Sequence, residues 1–221
     1  MFKQSLSALA LALASSLAAA ALATPAKPAA AIPPAEYESR IQQVMADAKS
    51  LATAAQAGKR AAFLCLYCHG EDGNSVQENI PNLAGQNPVY LLTQIQKFGD
   101  GRRNDAFMSG LIKSLKNEDR INMAVYYATM TPHSEQASDK NRVELGRKRY
   151  LANCIGCHGP QAAGNKSIAR LAGQRVTYLS LALNNYRTGR ISRLDPVMTQ
   201  VVRKLAPDDI PALAAYLSTL K

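Results

Sequence analysis

The chain has 221 residues, with 26 Lys and Arg against 16 Asp and Glu and a formal net charge of +10. A positive charge of this size favours an acidic partner surface, but the basic residues are too few and too dispersed to indicate a nucleic-acid partner, and none is expected. The length fits one large domain or two small ones, and composition does not decide between them.

The first 23 residues have the features of a secretory signal peptide. Lys3 precedes an Ala- and Leu-rich run over residues 6–22, and the ALA at 21–23 is a small-x-small cleavage site. We expect the mature chain to begin near Thr24. The alternative is an uncleaved membrane anchor, since the run is about long enough to span a bilayer, although its many Ala residues make it only weakly hydrophobic. Residues 24–35 are rich in Pro and Ala and predict an extended tether.

A helix is expected from Glu36 onward, because apolar residues recur at steps of three and four and therefore share one face. These residues are Tyr37, Ile41, Val44, Ala48, Leu51 and Ala55. We expect this face to pack on the domain that follows it rather than on a partner protein.

The sequence CLYCH at residues 65–69 returns as CIGCH at residues 154–158, and the two copies use all four cysteines of the chain. A CxxCH motif is the attachment signature of c-type haem, in which two thiols form thioethers and the adjacent His binds the iron. Two disulfides would not explain why a His directly follows each pair of cysteines. The two cysteine pairs are also too far apart in the chain for a zinc ribbon. We therefore predict two covalently bound haem c groups, attached to Cys65, Cys68, Cys154 and Cys157.

The motifs belong to a longer internal repeat. PNLAGQ at 81–86 returns as ARLAGQ at 169–174, and Tyr90 returns as Tyr178, both 88 positions later. This repeat predicts two domains of one kind at residues 36–131 and 139–221, joined by a linker at 132–138. Helical periodicity without strand alternation predicts an all-α fold in each, with final helices at 118–130 and 208–220.

Each iron also needs a sixth ligand. In the second domain Met198 is the sole Met and no His follows His158, so Met198 is the predicted ligand unless the position is open or filled by Lys or Tyr. In the first domain Met108 aligns with it at an offset of 90 residues. Met123, Met130 and His133 are the alternatives there. The predicted axial ligands are His69 with Met108, and His158 with Met198.

Metal-bound His generally donates its outer N–H to an acceptor. The carbonyls of Pro81 and Ala169 are the expected acceptors in the two domains. Candidates to contact the haem propionates are Gln86, Tyr90, Gln174 and Tyr178, together with Arg103 and Arg190.

Residues 58–221 resemble the dihaem class I cytochromes c of the cytochrome c4 family. The resemblance is carried by CLYCHGEDGNS and CIGCHGPQAAGN, the doubled LAGQ followed by Tyr, the two Met residues and the closing helices. It implies two tandem class I cytochrome c domains, each wrapped around one covalent haem. It further implies a periplasmic electron carrier, not an enzyme, which passes electrons from a quinol-oxidising complex to a terminal oxidase or reductase and is often associated with the membrane.

Domains of this class cross their first and last helices through a small residue and an aromatic one. Gly146, Tyr150, Leu213 and Tyr216 fit that crossing in the second domain. The expected counterparts in the first domain are Ala57, Ala61, Ala124 and Tyr127. The helix that begins at Glu36 is additional to this family pattern.

Charge separates the two domains. Residues 24–131 carry 11 basic and 10 acidic groups, whereas residues 132–221 carry 14 and 6. We therefore predict that the second domain docks the acidic surface of a redox partner, such as a membrane-bound oxidase or quinol-oxidising complex. The candidate docking residues are Arg147, Lys148, Arg149, Arg187, Arg190 and Arg193.

Two alternatives remain open from sequence. A dihaem enzyme, for instance one that handles thiosulfate or peroxide, would need an iron with an open or exchangeable position. A permanent cytochrome subunit of a larger redox complex would give the additional N-terminal helix a docking role.

Overall fold

A computed structural model describes residues 33–136, 139–189 and 195–221, and within these ranges the regular structure is entirely helical. The predicted signal peptide, most of the tether and two linker residues lie outside the described ranges. None of the described helices has the length and apolar character needed to span a membrane. The helices are α1 (Pro34–Ala46), α2 (Ala48–Ala61), α3 (Leu66–His69), α4 (Pro88–Gly99), α5 (Ala106–Lys113), α6 (Asn117–Ala128), α7 (Lys140–Asn153), α8 (Ile155–His158), α9 (Val176–Thr188), α10 (Pro196–Val202) and α11 (Asp209–Thr219).

The expected single helix after Glu36 is wrong, because the chain breaks at Asp47. Asp47 has extended backbone angles, φ −122° and ψ 125°, and its carboxylate accepts a hydrogen bond from the Ser50 N–H at 2.7 Å. Asp is a favoured N-cap residue because its side chain satisfies an N–H that the first turn leaves unpaired. The break separates α1 from α2, and both helices pack within the first module, taken here as residues 36–131.

The packing of α1 agrees with the expectation for its apolar face. Tyr37 and Ile41 are almost completely buried and belong to the hydrophobic core of the first module. A second, separate core is built from residues of the second module, residues 139–221. Each module therefore buries its own apolar centre.

In each module the helix that leads into the CxxCH motif crosses the last helix at a glycine. A Cβ on Gly146 would lie 1.9 Å from the Ala212 carbonyl oxygen, and a Cβ on Gly58 would lie 2.1 Å from that of Asn122. Neither helix pair, α7 with α11 or α2 with α6, could approach so closely with a larger residue at the crossing.

The structure confirms Gly146 as the small residue at the helix crossing of the second module, but in the first module it places that residue at Gly58 rather than at the predicted Ala57. Sequence comparison placed the small residue of the first module at Ala57 and the aromatic at Tyr127, whereas the contact is made by Gly58 and the Cβ of Tyr126. For the glycine, the error of one position arises because the first module has one residue fewer between the crossing and its CxxCH motif. For the tyrosine, it arises because the two contact residues, Tyr126 and Tyr216, lie 90 positions apart, one more than the offset that aligns the cysteines. In the second module, as expected, Tyr150 is completely buried and its ring lies 5.6 Å from that of Tyr216.

The two modules join through a reciprocal pair of glutamine contacts. The Gln174 amide accepts from the Asn82 N–H at 2.7 Å and donates to the Asn82 carbonyl at 3.0 Å. The Gln86 amide likewise accepts from the Arg170 N–H at 2.7 Å and donates to its carbonyl at 2.9 Å. Gln86 and Gln174 are 88 positions apart, and so are Asn82 and Arg170. The two contacts are therefore the same contact made in both directions, and an approximate two-fold axis relates the modules, as in an isologous dimer.

Ion pairs add to this contact between the modules. Arg175 pairs with Glu78 of the first module and, at 3.2 Å, with Glu135 of the linker. Lys166 reaches Glu38 on α1 at 2.5 Å. The helix α1 therefore touches the second module although its core contacts are in the first.

Candidate functional site

One cavity, with a volume of about 780 Å³, runs through the contact between the modules and is lined by both CxxCH motifs. It brings together the four cysteines, both motif histidines and both predicted methionines. The lining residues from these groups are Cys65, Cys68, His69, Met108, Cys154, Cys157, His158 and Met198. Residues separated by more than a hundred positions in the chain thus line the same cavity.

The first motif forms one helical turn that points His69 into the cavity. Helix α3 ends at His69, because Gly70 follows with φ 82°, a conformation that glycine adopts without strain. His69 Nδ1 donates to the Pro81 carbonyl oxygen at 2.9 Å. A carbonyl can only accept, so the proton resides on Nδ1 and Nε2 keeps its lone pair for a metal.

The second motif repeats this arrangement. His158 ends α8 and its Nδ1 donates to the Ala169 carbonyl oxygen, also at 2.9 Å. Burial lowers the pKa of both His69 and His158 below that of an ordinary imidazole, although the carbonyl bonds act in the opposite direction. Both rings are therefore neutral, as metal ligation requires. The two expected carbonyl bonds are confirmed, and Ala169 serves as well as Pro81.

Each predicted methionine is the third residue of a short helix whose start is fixed by an aspartate. The Met108 N–H donates to the Asp105 side chain at 2.9 Å, and the Met198 N–H donates to that of Asp195 at 3.1 Å. An N-cap carboxylate bonded to the third residue fixes where the helix begins. Sequence reasoning missed these two aspartates, although the repeated Asp-x-x-Met spacing was a visible signal for them.

The cysteines fit thioether attachment better than the rival sites. Within the described residues all four are free thiols and no group of three or more His, Cys, Asp or Glu is arranged to hold a metal ion. Burial raises the pKa of the Cys154 thiol to about 11 and that of Cys65 above its usual value. Burial thus disfavours the thiolate form that a zinc ion would bind.

The predicted propionate contacts divide into two kinds. Gln86 and Gln174 line the cavity, but their amides also make the reciprocal bonds between the modules. Tyr90 and Tyr178 line it as well, and the Tyr178 hydroxyl accepts from Arg103 at 3.3 Å. The contact of these four residues with haem remains a prediction.

Of the two arginines predicted to contact the haem propionates, the structure describes Arg103, which lines the cavity. Its guanidinium lies 4.3 Å from the centre of the Phe98 ring and donates to Gln94 at 3.1 Å. Because Tyr178 belongs to the second module, the hydrogen bond from Arg103 to its hydroxyl joins the two modules. Arg190 lies outside the described residues.

The rest of the lining suits a porphyrin. The first module contributes Leu91, Phe98, Ile112 and Met123, and the second contributes Leu179, Val202, Leu205 and Leu213. A mostly apolar cavity with a few convergent polar groups is typical of a cofactor site. Each module contributes apolar side chains, a CxxCH turn and a capped Met helix to the lining, and this set of residues fits one haem per module.

Comparison with known proteins agrees with this geometry. The family model described as Cytochrome c matches residues 143–221. Cytochrome c4 of Pseudomonas aeruginosa is 35% identical over 75% of this chain and 88% of its own length. A thiosulfate dehydrogenase electron acceptor of Thiomonas intermedia is 30% identical over 71% of this chain and 78% of its own.

A solved structure gives the same result for the fold. Reduced recombinant cytochrome c4 from Pseudomonas stutzeri superposes with a TM-score of 0.70 at 32% sequence identity. The match covers 76% of this chain and 98% of that one. The similarity therefore extends over both modules.

Proposed function

The chain belongs to the cytochrome c4 family, and on that premise we propose that it is a periplasmic carrier that passes electrons from a quinol-oxidising complex to a terminal oxidase or reductase. Membership establishes an electron-transfer cytochrome with two haem c groups in an all-helical fold. The compartment, the direction of transfer and the roles of individual residues are the proposed part.

The proposal assigns four axial ligands. His69 and Met108 hold the iron in the first module, and His158 and Met198 hold it in the second. The observation that supports this most directly is that each pocket pairs a neutral His, oriented by a backbone carbonyl, with a Met on a capped helix. Haem c supplies one-electron exchange at iron, and a thioether ligand raises its potential relative to a second His.

Two occupied axial positions have a functional consequence. A substrate has no open coordination site, so the protein exchanges electrons with partners and does not turn over small molecules. This argues against the alternative of a dihaem enzyme. The other alternative, a permanent subunit of a larger complex, would use the additional helix α1, yet Tyr37 and Ile41 of α1 are already buried in the core of the first module.

The ligand assignment is tested by replacing Met108 and Met198 with Ala, one at a time. Each variant is expected to convert one of two low-spin ferric haems to a high-spin haem that binds added ligands, and to lower one of two potentials in a spectroscopic redox titration. Met123→Leu is the matched control, because Met123 lines the same cavity and Leu conserves its volume. A high-spin haem in the wild type, or loss of the low-spin signal in Met123→Leu, would contradict the proposal.

A second candidate function concerns the electron donor. The similarity to the thiosulfate dehydrogenase electron acceptor supports a role in which a thiosulfate-oxidising enzyme reduces this protein. Thiosulfate alone should then leave the ferric protein oxidised, whereas thiosulfate with catalytic amounts of such an enzyme should reduce both haems. Absence of reduction in the second case would remove this candidate.

The second module remains the proposed docking side for an acidic partner, although its candidate docking residues differ in the ion pairs that they already make within the module. Arg147 lies 2.8 Å from Glu144, and Lys148 lies 4.0 Å from the same carboxylate. Arg149 pairs at 2.7 Å with Asp209, whose side chain is mostly buried. Arg187 is half-buried, and Arg190 and Arg193 lie outside the described residues.

Lys148→Glu should slow association with a carboxylate-rich partner and weaken its salt dependence. Unchanged rates would contradict docking at this surface.

Export is tested directly on the purified protein. We expect mass spectrometry of the mature form to give an N-terminus near Thr24. A retained segment 1–23 would instead support the uncleaved anchor.

A further inference from the structure

A buried tyrosine hydroxyl without a hydrogen-bond partner lies at the first haem pocket. Tyr127, on α6, is 2% exposed and lines the cavity. Its hydroxyl oxygen is sealed from solvent, and within the described residues it makes no well-formed hydrogen bond. A buried hydroxyl that stays unpaired costs about 1–3 kcal/mol. Since such groups are rare in folded proteins, this one indicates an acceptor that is completed when the cofactor is bound.

The second module has no hydroxyl at the equivalent position. The Gly85 N–H donates to the Tyr127 carbonyl at 3.0 Å, and the Gly173 N–H donates to the Leu217 carbonyl at the same distance. Because these two bonds correspond in the two modules, Tyr127 corresponds to Leu217, which also lines the cavity. A haem pocket of this kind can therefore be built with an apolar residue at this position.

The buried tyrosine of the second module is bonded differently. Tyr150 lies on α7, and its hydroxyl donates to the Gly159 carbonyl at 2.5 Å. At the offset of 88 that aligns the crossing glycines, Ala62 takes its place in the first module. Tyr150 thus uses its hydroxyl to bind the backbone, whereas the hydroxyl of Tyr127 is left for the pocket.

The Tyr127 hydroxyl interacts with the side chain of Cys65. Both residues belong to the core of the first module and line the cavity. Burial and, to a smaller extent, the neighbouring Cys65 raise the pKa of Tyr127, so the phenol keeps its proton and can donate. Burial raises the pKa of the Cys65 thiol, and the Tyr127 hydroxyl acts in the opposite direction, as a donor to sulfur does. In a thioether to haem the sulfur carries no proton and can only accept.

We propose that Tyr127 donates a hydrogen bond to the Cys65 thioether sulfur and thereby raises the reduction potential of the first haem. This inference rests on the proposed attachment of haem at Cys65. Ferric haem carries one positive charge more than ferrous haem, and the donated proton places the positive end of the O–H dipole toward it. Screening is weak in a mostly apolar cavity, so the dipole disfavours the ferric state. Hydrogen bonding around the cofactor is one means by which a protein sets a haem potential.

The test is Tyr127→Phe, which removes the hydroxyl and keeps the ring. In a spectroscopic redox titration of the holoprotein one of the two potentials should fall while the other stays unchanged. The fall should alter the equilibrium for electron exchange between the haems about threefold, equivalent to about 28 mV for a one-electron couple. Tyr126→Phe is the matched control, because its hydroxyl bonds to the Glu71 carbonyl at 3.5 Å and the residue does not line the cavity. This control should leave both potentials unchanged.

The haem that responds is identified in a Met198→Ala background. There the second haem is marked by its high-spin spectrum, and the first keeps its native ligands. Adding Tyr127→Phe should lower the potential of the low-spin haem. A shift of the high-spin haem instead would overturn the proposal.

The hydrogen bond itself is tested by resonance Raman spectroscopy of the ferrous protein in light and heavy water. A thioether C–S stretching band that shifts on deuteration should be present in the wild type and in Tyr126→Phe, and absent in Tyr127→Phe. An unchanged potential in Tyr127→Phe, an equal fall in Tyr126→Phe, or persistence of the deuterium-sensitive band in Tyr127→Phe would each overturn the proposal. Failure of the haem attachment would appear separately, as a wild-type holoprotein mass that includes fewer than two haem groups.

Discussion

The two modules agree in their interiors and differ at their surfaces. Both cross two helices at a glycine, both hold a neutral His on a backbone carbonyl at 2.9 Å, and both cap the methionine helix with an aspartate. In charge they differ: residues 24–131 carry 11 basic and 10 acidic groups, whereas residues 132–221 carry 14 and 6. The comparison teaches that the haem-pocket geometry constrains the inside of each module, while the charge of its surface is free to differ.

The contact between the modules is also nearly symmetric, but not equally buried. The bonds of Gln174 to Asn82 are completely buried, whereas those of Gln86 to Arg170 are partly exposed. The same side chain in the same role thus operates in two environments. The following variants test how far the likeness of the two modules extends, beginning with the largest expected effect.

The helix crossings should respond alike to a single added methyl group. Gly58→Ala and Gly146→Ala each place a Cβ about 2 Å from a backbone carbonyl oxygen, and we expect each to lower the free energy of unfolding by about 3 kcal/mol or more. Guanidinium denaturation of the holoprotein measures this. Gly110→Ala, at an exposed position of α5 with open space around it, should be neutral or slightly stabilising. A tolerated alanine in one module alone would show that its helices are not in this close contact.

The glutamines should respond unequally. Gln174→Ala leaves the buried N–H and carbonyl of Asn82 unpaired and should cost about 2 kcal/mol, within the range for a buried unsatisfied group. Gln86→Ala should cost less, since water can reach the Arg170 backbone. Chemical denaturation gives both values, and small-angle scattering shows whether the modules separate. An equal loss would mean that burial does not distinguish the two contacts.

The arginines of α7 should differ in stability even though each carries one charge. Arg149→Ala removes the partner of the mostly buried Asp209 carboxylate and should destabilise the second module by about 1 kcal/mol. Arg147→Ala breaks only an exposed pair with Glu144 and should change the free energy of unfolding by a few tenths of a kcal/mol, about the size of exposed helix pairs. Thermal unfolding of the two variants makes the comparison. The reverse order would contradict the structural role assigned to Arg149.

The smallest effect concerns the helix break in the first module, which has no counterpart among the described residues of the second. Hydrogen bonds from the Ser50 side chain and N–H lower the pKa of Asp47. A lowered pKa stabilises the folded state above the unfolded carboxyl value, about 4, and this contribution is lost as the pH falls through the folded value. We expect the protection factor of the Ser50 amide, which is the exchange rate of an unstructured peptide at the same pH divided by that of the amide, to fall in acid in the wild type. Asp47→Asn keeps an N-cap and should abolish this pH dependence; a fall of the same size would show that another group titrates.

Local patterns predicted a large part of the fold and of the site. The three-residue spacing of CxxC places both thiols on one helical turn, and the repeat transferred the methionine from the second module to the first. Acceptor carbonyls at Pro81 and Ala169 were found because they follow the motif at matching places in the two copies. Asp105 and Asp195 could have been predicted in the same way, since an N-cap lies three residues before the N–H that it binds.

What the sequence determined by itself is the chemistry of each pocket, because attachment, capping and helical periodicity all act within a few residues. Only the tertiary structure decided that Gly58 rather than Ala57 carries the crossing, that Gln86 and Gln174 bind the opposite module, and that Arg149 is bound to Asp209. These contacts join residues 60 to 92 positions apart. Periodicity shows which residues share a helix face, but the face that meets another helix is selected by close packing of the whole module.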